Sequence, residues 1–184
     1  MLRTEIFRKY KSNEDLDKKE IELRMELLLE PDNIENLKEL AALLYNKKDY
    51  VGAKTIFYKL IKLNPTSGET FGFLGFLNYE LEEYEEAIDN FNKAISLMDD
   101  GVFVYFLLGN AYARLGMIVD ATRCYDLAIF KNLDIYNAHI DFGKKYEDMD
   151  CTKRAIREYT AAYEIDPRDK TIKEKIDELK QKRV

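Results

Sequence analysis

The sequence predicts an all-α solenoid of stacked helical hairpins, and three series of residues predict it. Ala53, Ala87, Ala121 and Ala155 stand 34 residues apart with nothing inserted between them. Phe57, Phe91, Tyr125 and Tyr159 follow as an aromatic series on the same step. Leu40, Leu74, Leu108 and Phe142 form a large apolar series, each followed by a small residue: Ala41, Gly75, Gly109 and Gly143. A fixed period of this length marks stacked repeats, in which a unit hides its apolar face only against its neighbours.

Residues 1–33 are expected to form N-terminal helices that cap the array. Leu2, Ile6 and Tyr10 share a helical face, which predicts a short amphipathic helix over 2–11. Leu16, Leu23, Leu27 and Leu29 precede Pro31 in phase with a second helix. That helix is read over Glu14–Leu29 with Ser12 or Asn13 as its N-cap. Four units then follow, 34–67, 68–101, 102–135 and 136–169. In each, the small residue at position 8 faces the alanine at position 20, because only small side chains let two helix backbones approach closely. Pro31, Pro65 and Pro167 share one phase as helix stops, with Asp99 and Leu133 in that slot between them. Gly101, after Asp99 and Asp100, is expected to end a helix through its tolerance of the left-handed conformation, and Asn132 to do the same one unit later. Residues 170–184 are expected to form a C-terminal capping helix through Ile172, Ile176 and Leu179.

These residues resemble the tetratricopeptide repeat (TPR) family, whose 34-residue unit is a helix–turn–helix. The family pattern has an aromatic at position 4, here Leu37, Phe71, Tyr105 and His139, and another at position 11, here Leu44, Asn78, Tyr112 and Tyr146. Asn78 departs from it and implies a polar gap or a hydrogen-bonded turn. The resemblance implies a right-handed solenoid whose first helices line a concave groove. It also bears on the family's two-carboxylate clamp for chaperone tails. Lys38 matches that clamp, but Ala42, Phe73, Phe103 and Leu107 stand where its remaining polar residues belong, so that mode is not expected.

Composition narrows the function classes. The chain has 184 residues, 35% charged, with three prolines and eight glycines, which suits an ordered repeat array with much exposed surface. Its net charge of −6, without a basic stripe, argues against nucleic acid as partner. No apolar run is long enough for membrane insertion, and the start lacks a signal peptide's apolar region, so a cytoplasmic location is expected. Nine acids against one base lie between residues 69 and 100, and the turn Glu80–Glu86 is read as a solvated acidic face.

Candidate chemistry is sparse. His139 is the one histidine and sits in a core slot; Cys124 and Cys151 lack a metal-binding spacing and are read as free thiols. No phosphate-binding glycine loop follows a strand. The chain is therefore read as no enzyme, with no cofactor and no metal.

The resemblance implies that the groove carries function. Its lining is assigned to Tyr45, Phe73, Phe76, Tyr79, Phe103, Phe106, Leu107, Asn110, Arg114 and Lys144. Phe73, Phe76, Tyr79, Phe103, Phe106 and Leu107 are expected to form a continuous exposed apolar patch, a usual mark of a binding site. The expected partner is a protein or peptide with apolar anchors, bound by an adaptor or chaperone. The alternative is a self-associating scaffold or homodimer whose groove is filled by its own N-terminal segment or by a neighbouring subunit.

Overall fold

Ten helices and no strand occur among the residues that the computed structural model describes, 15–181. They are α1 (Leu16–Leu29), α2 (Ile34–Asn46), α3 (Tyr50–Leu63), α4 (Gly68–Glu80), α5 (Tyr84–Leu97), α6 (Val102–Arg114), α7 (Ile118–Phe130), α8 (Ile135–Asp148), α9 (Thr152–Ile165) and α10 (Lys170–Gln181). The chain forms two compact units, residues 1–127 and 128–184, divided within α7. The expected helix over 2–11 lies outside the described residues.

The helix starts keep the sequence period. Second helices begin at Tyr50, Tyr84, Ile118 and Thr152. First helices begin at Ile34, Gly68 and Val102, but α8 begins at Ile135, one residue earlier than the repeat frame predicts. There Asp134 acts as N-cap, its Oδ1 accepting the backbone N–H of Asn137 at 3.0 Å. Helix α1 also differs from expectation. Its N-cap is Asp15, whose Oδ1 accepts from the amides of Asp17 and Lys18, both at 3.1 Å, rather than Ser12 or Asn13. Asp15 is the strong capping side chain next to the first turn, so it takes the amides that turn leaves unbonded.

The turn inside each hairpin carries one left-handed residue at the same phase: Lys48 (φ 64°), Glu82 (64°), Gly116 (74°) and Asp150 (53°). Asn132 is left-handed as well, at 66°. Gly101 is not. At φ −101° it is the N-cap of α6, and α5 has already ended at Leu97. Asp99 and Asp100 thus lie in the connection, and glycine's conformational freedom is not used there.

Packing at the hairpin crossings explains the small-residue series. A Cβ added to Gly75 would stand 2.7 Å from the Phe91 ring; at Gly109 and Gly143 it would stand 2.6 Å from the rings of Tyr125 and Tyr159. Two of these rings are pinned by their hydroxyls. Tyr125 donates to Asn110 Oδ1 at 2.8 Å, and Tyr159 donates to Glu147 Oε2 at 2.6 Å. The four alanines of the period are all buried.

Helix α4 is apolar around its circumference, and ten of its thirteen residues are buried. A helix of that kind needs cover on every side. Asn78 lies within it at 1% exposure, and its Oδ1 accepts no hydrogen bond among the described residues. The side-chain oxygen thus sits in a polar gap, while the turn itself is hydrogen-bonded, the Glu83 backbone N–H donating to the Asn78 carbonyl at 2.9 Å.

In the C-terminal unit, His139 occupies its core slot, with Nδ1 2.9 Å from Glu158 Oε2 and both side chains buried. Arg157 Nε donates to the other oxygen of Glu158 at 3.3 Å. The Tyr136 hydroxyl donates to Asp169, which pushes the phenol up to about 12 and holds the Asp169 carboxyl below its usual range. Helix α10 buries Ile172, Ile176 and Leu179, and Lys175 pairs with Glu147 at 2.7 Å.

Candidate protein-interaction site

The N-terminal unit holds an apolar pocket between α2 and α4. Lys38, Ala41, Ala42 and Tyr45 form one wall, and Glu69, Thr70, Phe73, Phe76 and Leu77 form the other. Phe57 of α3 closes the end. The walls follow from local structure. Ser67 caps α4, its Oγ accepting the Thr70 amide at 3.2 Å, and this sets the first turn that carries Glu69 and Thr70. The Phe73 ring stacks on Phe57 at 5.3 Å and 18°. Tyr45 meets Phe76 at 5.5 Å. A Lys38–Glu69 ion pair at 3.7 Å spans the lip, so an apolar floor is framed by one cation and one anion.

Three sequence-assigned residues, Tyr45, Phe73 and Phe76, thus share one pocket. The rest of the expected patch is corrected by burial. Of its six members only Phe73 is half-buried; Phe76 (1% exposed), Tyr79, Phe103, Phe106 (0%) and Leu107 are buried. The cause is the all-round apolar character of α4 and α6, which turns rings into packing. Tyr79 lies edge-on to Tyr84 at 5.6 Å, Phe103 meets Phe106 at 5.7 Å, and Phe106 meets Tyr125 at 6.4 Å. Asn110 is buried and engaged with Tyr125. Arg114 is exposed, its guanidinium 5.5 Å over the Tyr84 ring, and its Nε donates to the Tyr84 hydroxyl at 3.1 Å. Lys144 is exposed on α8 of the C-terminal unit.

This burial decides what substitution does here. Phe76→Asp and Tyr79→Asp place a carboxylate where a ring is enclosed, so both are expected to unfold the N-terminal unit. Loss of helical circular dichroism at 25 °C is the readout. The acidic face is corrected as well. Glu80 is buried at 3% exposure, and Glu83 pairs with Lys54, so the turn Glu80–Glu86 is not wholly solvated.

Sequence reasoning missed Phe57, Lys38 and Glu69 as parts of one pocket. Phe57 was assigned to the aromatic core series, and its second role depends on the stack with Phe73. Lys38 and Glu69 stand at groove positions of adjacent units, so an opposite-charge pair at that offset was the available signal. Among the described residues no cluster of His, Cys, Asp and Glu is arranged to hold a metal ion, and no helix is long and apolar enough to cross a membrane. Cys124 and Cys151 are both free, and burial pushes the Cys124 thiol up to about 11.

Comparison with known proteins gives a consistent result. Tetratricopeptide-repeat profiles match residues 39–67 and 75–116. The TPR repeat-containing protein MJ1428 of Methanocaldococcus jannaschii is 28% identical over 100 residues, 54% of this chain and 17% of that protein. The chain spans less than a fifth of the length of the curated relatives it matches. Among solved structures, MamA superposes with a TM-score of 0.63 at 26% identity, covering 82% of this chain and 88% of MamA. YrrB, described as a TPR protein with an unusual peptide-binding site, superposes at 0.58 with 19% identity, covering 82% of this chain and 77% of YrrB.

Proposed function

We propose, from the premise that this chain is a tetratricopeptide-repeat protein, that it binds an apolar segment of a protein partner in the α2–α4 pocket. Protein–protein interaction is the general use of this fold, and catalysis is no part of the proposal. The pocket itself carries the reading: the rings of Tyr45, Phe57, Phe73 and Phe76 and the alanines Ala41 and Ala42 are framed by Lys38 and Glu69. An apolar anchor gains from leaving water there, at about 25 cal/mol per Å² of apolar surface buried. The Lys38–Glu69 lip then fixes the direction of the peptide backbone. Such a protein serves as an adaptor, or as a chaperone that keeps an apolar client segment covered. We place it in the cytoplasm on the strength of its two free thiols.

Selection of displayed random peptides on the full chain tests the pocket. Peptides with one bulky aliphatic or aromatic anchor are expected. Ala42→Arg fills the half-buried wall from its rim and is expected to weaken their binding at least tenfold while helix content stays unchanged. Equal binding by the Ala42→Arg chain would remove the pocket as the site.

A further inference from the structure

We propose that the segment held in the α2–α4 pocket carries a lysine or arginine within a few residues of its apolar anchor, on the side where α2 and α4 begin. This rests on the pocket reading above and names the chemistry of the partner that fits it.

The pocket has a direction. Lys38 meets Glu69 at 3.7 Å, and one step further along both helices Tyr45 meets Phe76 at 5.5 Å. Contacts that advance together in both helices make α2 and α4 parallel. Their first turns therefore lie at one end of the pocket.

That end is acidic. Glu35 stands in the first turn of α2 and Glu69 in the first turn of α4. A Cβ added to Gly68 would stand 2.4 Å from Met98 Cγ, so Met98 lies against the start of α4. Asp99 and Asp100 follow Met98 directly, at about 3.8 Å per Cα step, and both are exposed.

The bases do not balance these acids. Lys38 is the one base of the pocket walls, and it already meets two carboxylates, Glu35 and Glu69, each at 3.7 Å. Lys59 is engaged with Asp32 at 3.1 Å. The Phe57 and Phe91 rings mark the sides of α3 and α5 that face α4. Lys62 stands about 140° around α3 from Phe57, and Lys93 about 200° around α5 from Phe91, so both turn away. Glu35, Glu69, Asp99 and Asp100 thus share one ammonium.

The charge selects the occupant. An incoming carboxylate would find Lys38 taken and acids of its own sign beside it. An incoming ammonium or guanidinium finds Glu69, whose side chain is 23% exposed and therefore less screened by salt than an open carboxylate. Glu69 stands one turn before Phe73, about 6 Å along α4. An extended segment covers that span in about two residues and a helical one in about four. First-turn acids also balance a helix dipole, an effect confined to that turn. Asp99 and Asp100 lie ahead of Gly101, the N-cap of α6, and outside that role.

Displayed random peptides selected on the full chain test the proposal. Lysine or arginine is expected to be enriched about two to four residues from the anchor, with aspartate and glutamate depleted there. In one such peptide, replacing the base by glutamine is expected to weaken binding about three- to tenfold and to slow association most at low salt. Glu69→Gln and the double variant Asp99→Asn, Asp100→Asn are each expected to weaken the basic peptide and to leave its glutamine analogue unchanged. That non-additivity is what a purely structural role of these acids would not produce. Equal effects on both peptides, or selected peptides with no preference for a base, would overturn the proposal. Enrichment of acids near the anchor would overturn it too and make Lys38 the recognising group. Replacing the peptide's anchor by alanine probes the pocket alone. Binding lost there but indifferent to the base would remove this proposal and keep the pocket, whereas binding indifferent to the anchor would remove both.

Discussion

Gly109 shows how one atom governs a hairpin. Its missing Cβ leaves space for the Tyr125 ring, and the ring is tied to Asn110 at 2.8 Å. Gly109→Ala gains about 1 kcal/mol in helix propensity. Forcing the ring aside costs about 1–3 kcal/mol and strains its hydrogen bond. The net effect expected is destabilisation, with the melting temperature lowered by several degrees in a thermal circular dichroism scan. The two thiols differ for a similar reason of enclosure. Burial first, then the Asp120 carboxylate, raises Cys124 from 9.0 to about 11, whereas Cys151 is half-buried at the start of α9. Iodoacetamide at pH 8 is expected to modify Cys151 alone, and Cys124 only after denaturation, as read by intact mass. The sign of the linkage follows. A thiol whose folded value is raised favours the folded state below pH 9 and loses that contribution as pH climbs towards 11. Stability is therefore expected to fall over that interval in urea titrations.

At the scale of the element, the turn residues are the informative ones. Lys48 and Glu82 hold left-handed backbone that glycine adopts freely, and Gly116 already does so at the same phase. Glu82→Gly is expected to stabilise the chain by about 0.5–1 kcal/mol, after the entropy that glycine adds to the unfolded state is subtracted. A shift in the urea midpoint checks it. These turns also mark what the sequence shows and what it hides. Helix type and phase were legible because small, aromatic and apolar residues recur on one step, and packing at the crossings forces that recurrence. The start of α8 was not, because Asp134 captures an amide one residue before the frame predicts. The exposure of the rings was hardest to read. The resemblance turns Phe76 and Tyr79 towards the groove, yet both are buried, because α4 is enclosed on nearly every side and takes its rings into packing. Asn78 is a further case, since its amide fits no rule of the pattern and finds no partner for its oxygen among the described residues.

At the scale of the molecule, the ends of each unit decide solubility. Helix α10 buries three aliphatic side chains, each worth about 1.5–3 kcal/mol. A chain stopped after Asp169 is expected to bind a hydrophobic dye and to scatter light at concentrations where the full chain stays clear. At the opposite end, α1 buries Leu23 while Leu28 stands 81% exposed, so its outer strip is open in this chain. The four left-handed corners carry a wider consequence. The backbone bends alike at lysine, glutamate, glycine and aspartate. Charge at these tips is therefore uncoupled from the path of the main chain. Evolution, or an engineer, can recolour each knuckle singly, tuning attraction to a visitor without rebuilding the frame that receives it.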